Sequence, residues 1–556
     1  MKKTIFSLCL AISAFCLSGC SDFLDREPYG KDATWKTKED VDQAIYALYH
    51  FVSPYWSEEI CGRGHMWLEC ASDNILIGRA RPSVDEIREF RMSPSNDNDV
   101  SRVWEVMYQN VAKANNIIKM VPDMKLDQGY KSQAVGTAYF FRGFSMLWMV
   151  PYYGDDTNGG IPIILDTTPA AEIDSPRPAH VLQNYDQIIS DMRTAGEMLP
   201  YLSQLDASQI GLPHKAAAWG YAARAALYAA QYDAKYYDIV LEMCNKIMAL
   251  TGSDKRELYI DPSNKLNSYA NLWRKEQNHS KEYIFSLEGD YTNGARYHGV
   301  TFVNAGWGLY NTWGYFTPSK NLWDAFEEGD QRRDVTILYP GQHVKFVGRD
   351  ITFGGYNTDG SVSDYTTGHV SAGLICRKFI SPWEGADCKG KEVSALRDKL
   401  WNSLNCCLLR YADVMLMKAE ALIWTKGEGD AEAKQLLNQI RDRAGLPQNS
   451  QATKAQLMNE RRCELAFEFQ PSRHIDVVRW GIATTTYAKP LYSVISDPYS
   501  YAPLEKSAIK MMQFSALIEG MAQLLEDGMS LPDFYDELLI RTGYVDTLES
   551  KDTEEN

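Results

Sequence analysis

"PHKAAAWGYAARAALYAAQ", residues 213–231, is dominated by alanine, with Gly220 at its centre and Pro213 at its head. Alanine is the strongest helix former, and proline is tolerated at a helix start. The stretch therefore predicts a helix over 213–230 whose small side chains let a second helix approach closely. A helical pattern over 179–199 supplies that neighbour, and another spans about 236–250. Working outward, residues 101–121 place Val103, Met107, Val111, Ala114, Ile118 and Val121 at helical spacing. A helix over 131–150 follows, ending at Pro151. Thr37 with Asp40 reads as a capping box before Val41, Ala44, Ile45, Leu48 and Val52. A last pair is expected at 404–426, "LNCCLLRYADVMLMKAEALIWT", and 429–444.

Helix pairs with small residues at their contacts resemble tetratricopeptide units, although no strict repeat of about 34 residues is visible. Between about 255 and 400 the texture changes to Gly, Tyr, Asn, Thr and Asp. Short β-like runs appear there: "EYIFSLEG", "VKFVGRDITFGGY" and "LICRKFI". The fold class expected is mainly α, tetratricopeptide-like helix pairs with a loop-rich, short-strand second half. Loops of that kind usually carry function.

The chain begins "MKKTIFSLCLAISAFCLSGC". The apolar run from Ile5 to Leu17 is too short to cross a bilayer, which takes roughly 20 residues. A basic start, a short apolar segment and small residues at its end describe a secretory signal over 1–19. Leu17-Ser18-Gly19-Cys20 resembles a bacterial lipobox. That resemblance implies a lipid attached to Cys20, with the mature protein anchored to a membrane without crossing it. The alternative is an ordinary signal peptide with a chance cysteine.

The formal net charge is -16. Losing Lys2 and Lys3 with the signal leaves 55 basic against 73 acidic residues, or -18. Bulk charge excludes a nucleic-acid binder, which needs clustered Lys and Arg. Tyr and Trp are abundant, at 33 and 14, which suits a surface touching partly apolar, partly hydroxylated ligands. Eleven cysteines match no zinc spacing. Cys61 with Cys70 and Cys376 with Cys388 are possible disulfides; buried thiols are the plainer reading.

Several stretches coincide with one family. "AYFFRGFSMLWMVPYYGD…GGIPII", "TPSKNLWDAFEEGDQRRD", "LLRYADVMLMKAEAL", "LLNQIRDRAGL" and "ERRCELAFE…RHIDVVRWG" occur in that family's order. With the lipobox they resemble SusD/RagB proteins, surface glycan-binding lipoproteins. The resemblance covers residues 20–482 and implies one large SusD-like domain over 20–486. It implies a SusC-like TonB-dependent transporter as partner, a polysaccharide or oligosaccharide ligand, an outer-membrane location and no catalysis, cofactor or metal. One departure stands out: where the family has Glu-Gly-x-Arg, Glu468 is followed by "FQPSR", which puts Arg473 two residues late.

The best binding constellation is "NAGWGLYNTWGYFTP", with Trp307, Tyr310, Asn311, Trp313, Tyr315 and Phe316. Sugar rings present apolar C–H faces to aromatic planes and hydroxyls to amides and charges. "WLECASDNILIGRAR" adds Trp67, Asp73, Asn74 and Arg81. Trp104, Trp148 and Trp219 lie on helices and are expected in the core. RagB-like relatives capture peptides, so a peptide is the alternative ligand. A glycoside hydrolase is the rival from another class, because paired carboxylates cannot be recognised by spacing alone; no HExxH, G-x-S-x-G or Walker A motif is present. "NTDGSVSD" at 357–364 is similar to a calcium loop but lacks the later Glu.

Residues 487–556 contain "FSALIEGMAQLL…MSLPDFYDELLIRTGY…LESKDTEEN", which resembles an internal piece of a UvrD/PcrA-type helicase, without any nucleotide-binding motif. This segment is expected to be a helical appendage outside the native fold, with little burial against the body; the alternative is a divergent family tail of ordinary amphipathic helices.

Overall fold

The computed structural model describes residues 35–49, 51, 68–77, 82–91, 102–169, 176–289, 305–307, 310–313, 316–339, 342–346, 349–352, 374–378, 404–468 and 472–491. Cys20, Trp67, Arg81, Tyr315, Cys61, Cys388 and residues 357–364 lie outside them.

The first half is a run of helices: α1 (Lys38–Ala47), α2 (Arg102–Met120), α3 (Gln128–Tyr153), α4 (Leu182–Met198), α5 (Lys215–Ala229) and α6 (Tyr236–Met248). From α2 onward each packs on the next. The capping box at α1 is present: Thr37 accepts from the Asp40 amide, and Asp40 accepts from the Thr37 amide at 2.8 Å. Small residues make close contacts between helices, as expected: a Cβ on Gly196 of α4 would sit 3.8 Å from Ala218 Cβ of α5. Gly220 instead faces a residue outside the helices. A Cβ on Gly220 of α5 would sit 2.3 Å from Leu409 Cδ2. No helix among the described residues is long and apolar enough to cross a membrane.

Two elements depart from expectation. Helix α3 runs through Pro151 to Tyr153. Proline removes one backbone donor there, but Tyr152 and Tyr153 are buried by the continuation. Burying two large rings outweighs one hydrogen bond worth about 1 kcal/mol. The stretch 404–426 is not one helix. Cys406–Arg410 is strand β10, and α7 begins at Tyr411 and ends at Lys426. β10 pairs antiparallel with β2 (Tyr283–Leu287), Cys406 opposite Leu287. All five of its residues are buried. A short, wholly apolar run looks the same in a buried strand and a buried helix, so periodicity does not separate them.

The second half adds small antiparallel pairs: β1 (Ile75–Ile77) with β5 (Phe316–Pro318), β3 (Ala305–Trp307) with β4 (Tyr310–Trp313), β6 (Ile337–Leu338) with β9 (Ile375–Cys376), and β7 (His343–Phe346) with β8 (Arg349–Thr352). Helices α8 (Ala431–Arg443), α9 (Lys454–Glu464), α10 (Arg473–Arg479) and α11 (Ala483–Tyr487) close the described chain. One apolar core runs from Val41 to Tyr487, and a second lies among α7, α8 and α9. Trp148 is in the core; Trp104 and Trp219 are half-buried against it. Cys244, Cys407 and Cys463 are buried thiols, and burial pushes all three pKa values up.

The motifs that carry the family resemblance meet in a buried ion-pair lattice. Glu464 receives Arg332, Arg410 and Arg443. Burial opposes its ionisation, but the three guanidinium groups hold it well below the usual carboxylate range. Arg410 also reaches Glu282 at 2.8 Å and Glu468 at 2.7 Å. Arg461 bridges Asp413 at 2.6 Å and Asp476 at 2.7 Å, and Arg479 ties Asp476 to Glu420. In α3, Arg142 holds Asp191 at 2.7 Å and Asp166 at 2.8 Å. A buried charge survives only with its partners, so the motifs that carry Arg332, Arg410, Arg443 and Glu464 depend on one another, while Arg142 forms a separate buried group with Asp191 and Asp166.

Candidate functional site

The aromatic stretch folds as strands because Trp, Tyr and Thr suit a pleated surface. Only residues 308 and 309 separate β3 from β4. Trp307 stands opposite Tyr310, and Ala305 opposite Trp313. Between those pairs β4 advances by one residue more than β3, which is a bulge. Cross-strand partners share a face, and so do Ala305 and Trp307, two apart on one strand. The register therefore assigns Trp307, Tyr310 and Trp313 to one face of the hairpin. Without the extra residue, Tyr310 and Trp313 would fall on opposite faces. Asn311 lies within the bulged stretch of β4.

The hairpin is joined to the second candidate stretch. β5 follows β4 after residues 314 and 315, and it pairs with β1: Ile77 opposite Phe316, Ile75 opposite Pro318. β1 starts directly after Asp73 and Asn74. The two regions singled out in sequence thus meet edge to edge.

Asp73 and Asn74 themselves are turned inward, 7% and 2% exposed. The Asp73 carboxylate lies 3.0 Å from Arg473 Nε and 2.9 Å from Arg462 Nη2. Burial opposes its ionisation, yet Arg473 and Arg462 hold its pKa below the ordinary value. Asn74 Oδ1 accepts from Arg462 Nε at 2.8 Å. The Asp73 carboxylate and Asn74 Oδ1 are thus engaged by arginines inside the protein. Arg473, displaced by the "FQPSR" departure, lands on Asp73. Sequence reading missed this because the partners lie about four hundred residues apart with no local signal linking them.

Beneath this junction Glu69 accepts from Ser72 Oγ at 3.1 Å and from Ser472 Oγ. Burial pushes its carboxyl up to about 7. His474 Nδ1 and the Tyr487 hydroxyl lie 2.7 Å apart, and Leu491 packs on Leu76. Tyr487 and Leu491, which follow the boundary expected at 486, are buried. No group of three or more His, Cys, Asp or Glu among the described residues could hold a metal ion.

Known proteins resemble the chain along most of its length. A family model described as "SusD family" matches residues 275–516, and one described as "Starch-binding associating with outer membrane" matches residues 22–227. SusD-like protein P2 of Formosa agariphila is 26% identical over 521 residues, covering 88% of this chain and 92% of its own. A solved SusD-like protein from Bacteroides fragilis superposes with a TM-score of 0.67 at 24% identity, covering 83% of this chain and 90% of its own. Surface glycan-binding protein A from Bacteroides thetaiotaomicron, solved with laminarihexaose, gives 0.62 at 19% identity, covering 86% and 96%. The first family match runs to 516, beyond the boundary expected at 486. Two family models that together take in the helical first half and the motif-bearing second, with a relative aligned over nearly the whole length, make this chain similar to SusD-type proteins along most of its length.

Proposed function

We propose that this chain is a lipid-anchored outer-membrane protein that captures glycans and passes them to a SusC-like TonB-dependent transporter, without catalysis. The anchor is Cys20 and the ligand platform is Trp307, Tyr310 and Trp313, with Asn311 beside them for hydroxyls. Trp67 and Arg81 are further ligand contacts expected from the sequence. The observation that carries the reading is the bulged register of β3 and β4, which gathers three aromatic residues on one face. The bound laminarihexaose of the Bacteroides thetaiotaomicron protein supports it by likeness of fold. Tethering at Cys20 raises the effective concentration at a transporter, so modest affinity suffices. The helicase-like resemblance read over 487–556 is given no part in this function.

Association costs several kcal/mol in lost freedom, so a few ring stackings leave affinity on the order of millimolar to micromolar. A central anchor is worth about 2 kcal/mol or more, roughly a thirty-fold loss on removal. Trp313→Ala is expected to abolish detectable binding in titrations with laminarihexaose and a panel of other oligosaccharides, with far-UV circular dichroism unchanged. A folded variant that binds like wild type would move the site elsewhere. A wild-type chain that takes up peptides and no glycan would replace glycan by peptide as the ligand class.

A further inference from the structure

We infer that Asp73, clamped between Arg462 and Arg473, is a positioning residue for the aromatic hairpin, transmitting the rigidity of α9 and α10 to β3 and β4. This rests on reading the hairpin as the ligand platform.

The linkage can be followed from the clamp to β5, the strand that succeeds the hairpin in the chain. Arg462 lies on α9 and Arg473 opens α10, and both point at one carboxylate. The backbone on either side of that carboxylate is then used to hold β5. Ser319 Oγ donates to the Asp73 carbonyl at 2.7 Å, and the Ser319 amide donates to the Asn74 carbonyl at 2.9 Å. Thr317 Oγ1 donates to the Leu76 carbonyl at 3.1 Å. Thr317 and Ser319 are both fully buried, so these bonds are not exchanged with water. β5 carries the register to Phe316, three residues after Trp313. From the other side Asn321 Nδ2 donates to the Pro490 carbonyl at 2.9 Å, and Leu76 meets Leu491. A strand pair of three residues has little stability of its own. The fixed geometry of β1 and β5 therefore comes from the clamp and the serine, not from the ladder. A stacking platform needs its rings preorganised, because ordering them on binding is subtracted from affinity.

The test is hydrogen exchange on the full chain, read by mass spectrometry, beside titration with laminarihexaose. Asp73→Asn is expected to speed amide exchange over 305–318 at least ten-fold while exchange over 411–426 stays at the wild-type rate, and to weaken binding about ten-fold. Ser319→Ala, which keeps every charge, is expected to do the same to a smaller degree and serves where Asp73→Asn fails to fold. Arg473→Lys keeps the charge and is expected to restore most of the protection lost in Arg473→Ala. Unchanged exchange over 305–318, or an equal rise over 411–426, would overturn the inference. If wild type binds no glycan, the platform reading fails while the exchange comparison still decides the clamp.

Discussion

Glu69 and His214 respond to pH in opposite senses. Burial raises Glu69 from an ordinary 4.5 to about 7, so the fold is favoured by its protonated form. That contribution is complete below 4.5 and is lost as pH rises through 7. Burial, with Arg256 nearby, lowers His214 from 6.5 to about 4. Its contribution is complete above 6.5 and is lost as pH falls through 4. Each amounts to about 3 kcal/mol at most, so between 4.5 and 6.5 the two slopes largely cancel. In urea unfolding, the stability of Glu69→Gln relative to wild type is expected to grow by about 3 kcal/mol from pH 4.5 to pH 7. A difference that stays constant over that range would mean that Glu69 is ionised in the folded protein. Sequence reading missed Glu69, since nothing local distinguishes it from the chain's many carboxylates. The arginine partners of Asp73 and Asn74 were not legible either, because they are brought in from α9 and α10, about four hundred residues away.

The helices from α2 to α6 were legible because apolar and small residues recur at helical spacing. β2, β7 and β8 were legible as β-branched and aromatic runs. The pairing of β1 with β5 was not: three-residue strands some 240 positions apart leave no pattern. β10 was hidden inside a helical reading, and its seat explains the behaviour expected of Gly220. Replacing glycine by alanine in a helix usually gains about 0.5–1 kcal/mol. Here the added Cβ meets Leu409 of β10, itself 1% exposed. Overpacking costs about 1–3 kcal/mol, so Gly220→Ala is expected to lower stability by about 1–2 kcal/mol in chemical denaturation. A stabilised variant would show that β10 yields to the helix.

At the scale of the molecule, the family motifs were legible as a series in order, and the ion-pair lattice gives that order its physical content. Glu464 alone joins three motifs through its guanidinium partners. The tail is where the molecule's extent departs from expectation. Tyr487 packs on Phe90 and His474 and is 4% exposed. Removing a buried aromatic costs about 3–5 kcal/mol. A chain ending after Thr486 is therefore expected to melt several degrees below the full chain, whereas one ending after residue 516 is expected to melt with it. Equal melting of the two shortened chains would return the boundary to 486.

The β6–β9 pair has a consequence for how such a protein can change over time. Leu338 and Ile375 stand opposite each other, so residues 339–374 leave and re-enter at one point. The stem is fastened below by the Arg377 amide on the Thr336 carbonyl at 2.8 Å and by buried Lys378 on Glu468 at 2.7 Å. Closing a longer loop on a fixed stem is inexpensive, about 0.6 kcal/mol for each doubling of length. Tyr339, Gln342 and Leu374 belong to the body and hold the two ends of the stretch, so changes of length between 342 and 374 cost this stem little in closure, and a reporter domain spliced there is expected to leave the scaffold's melting unchanged.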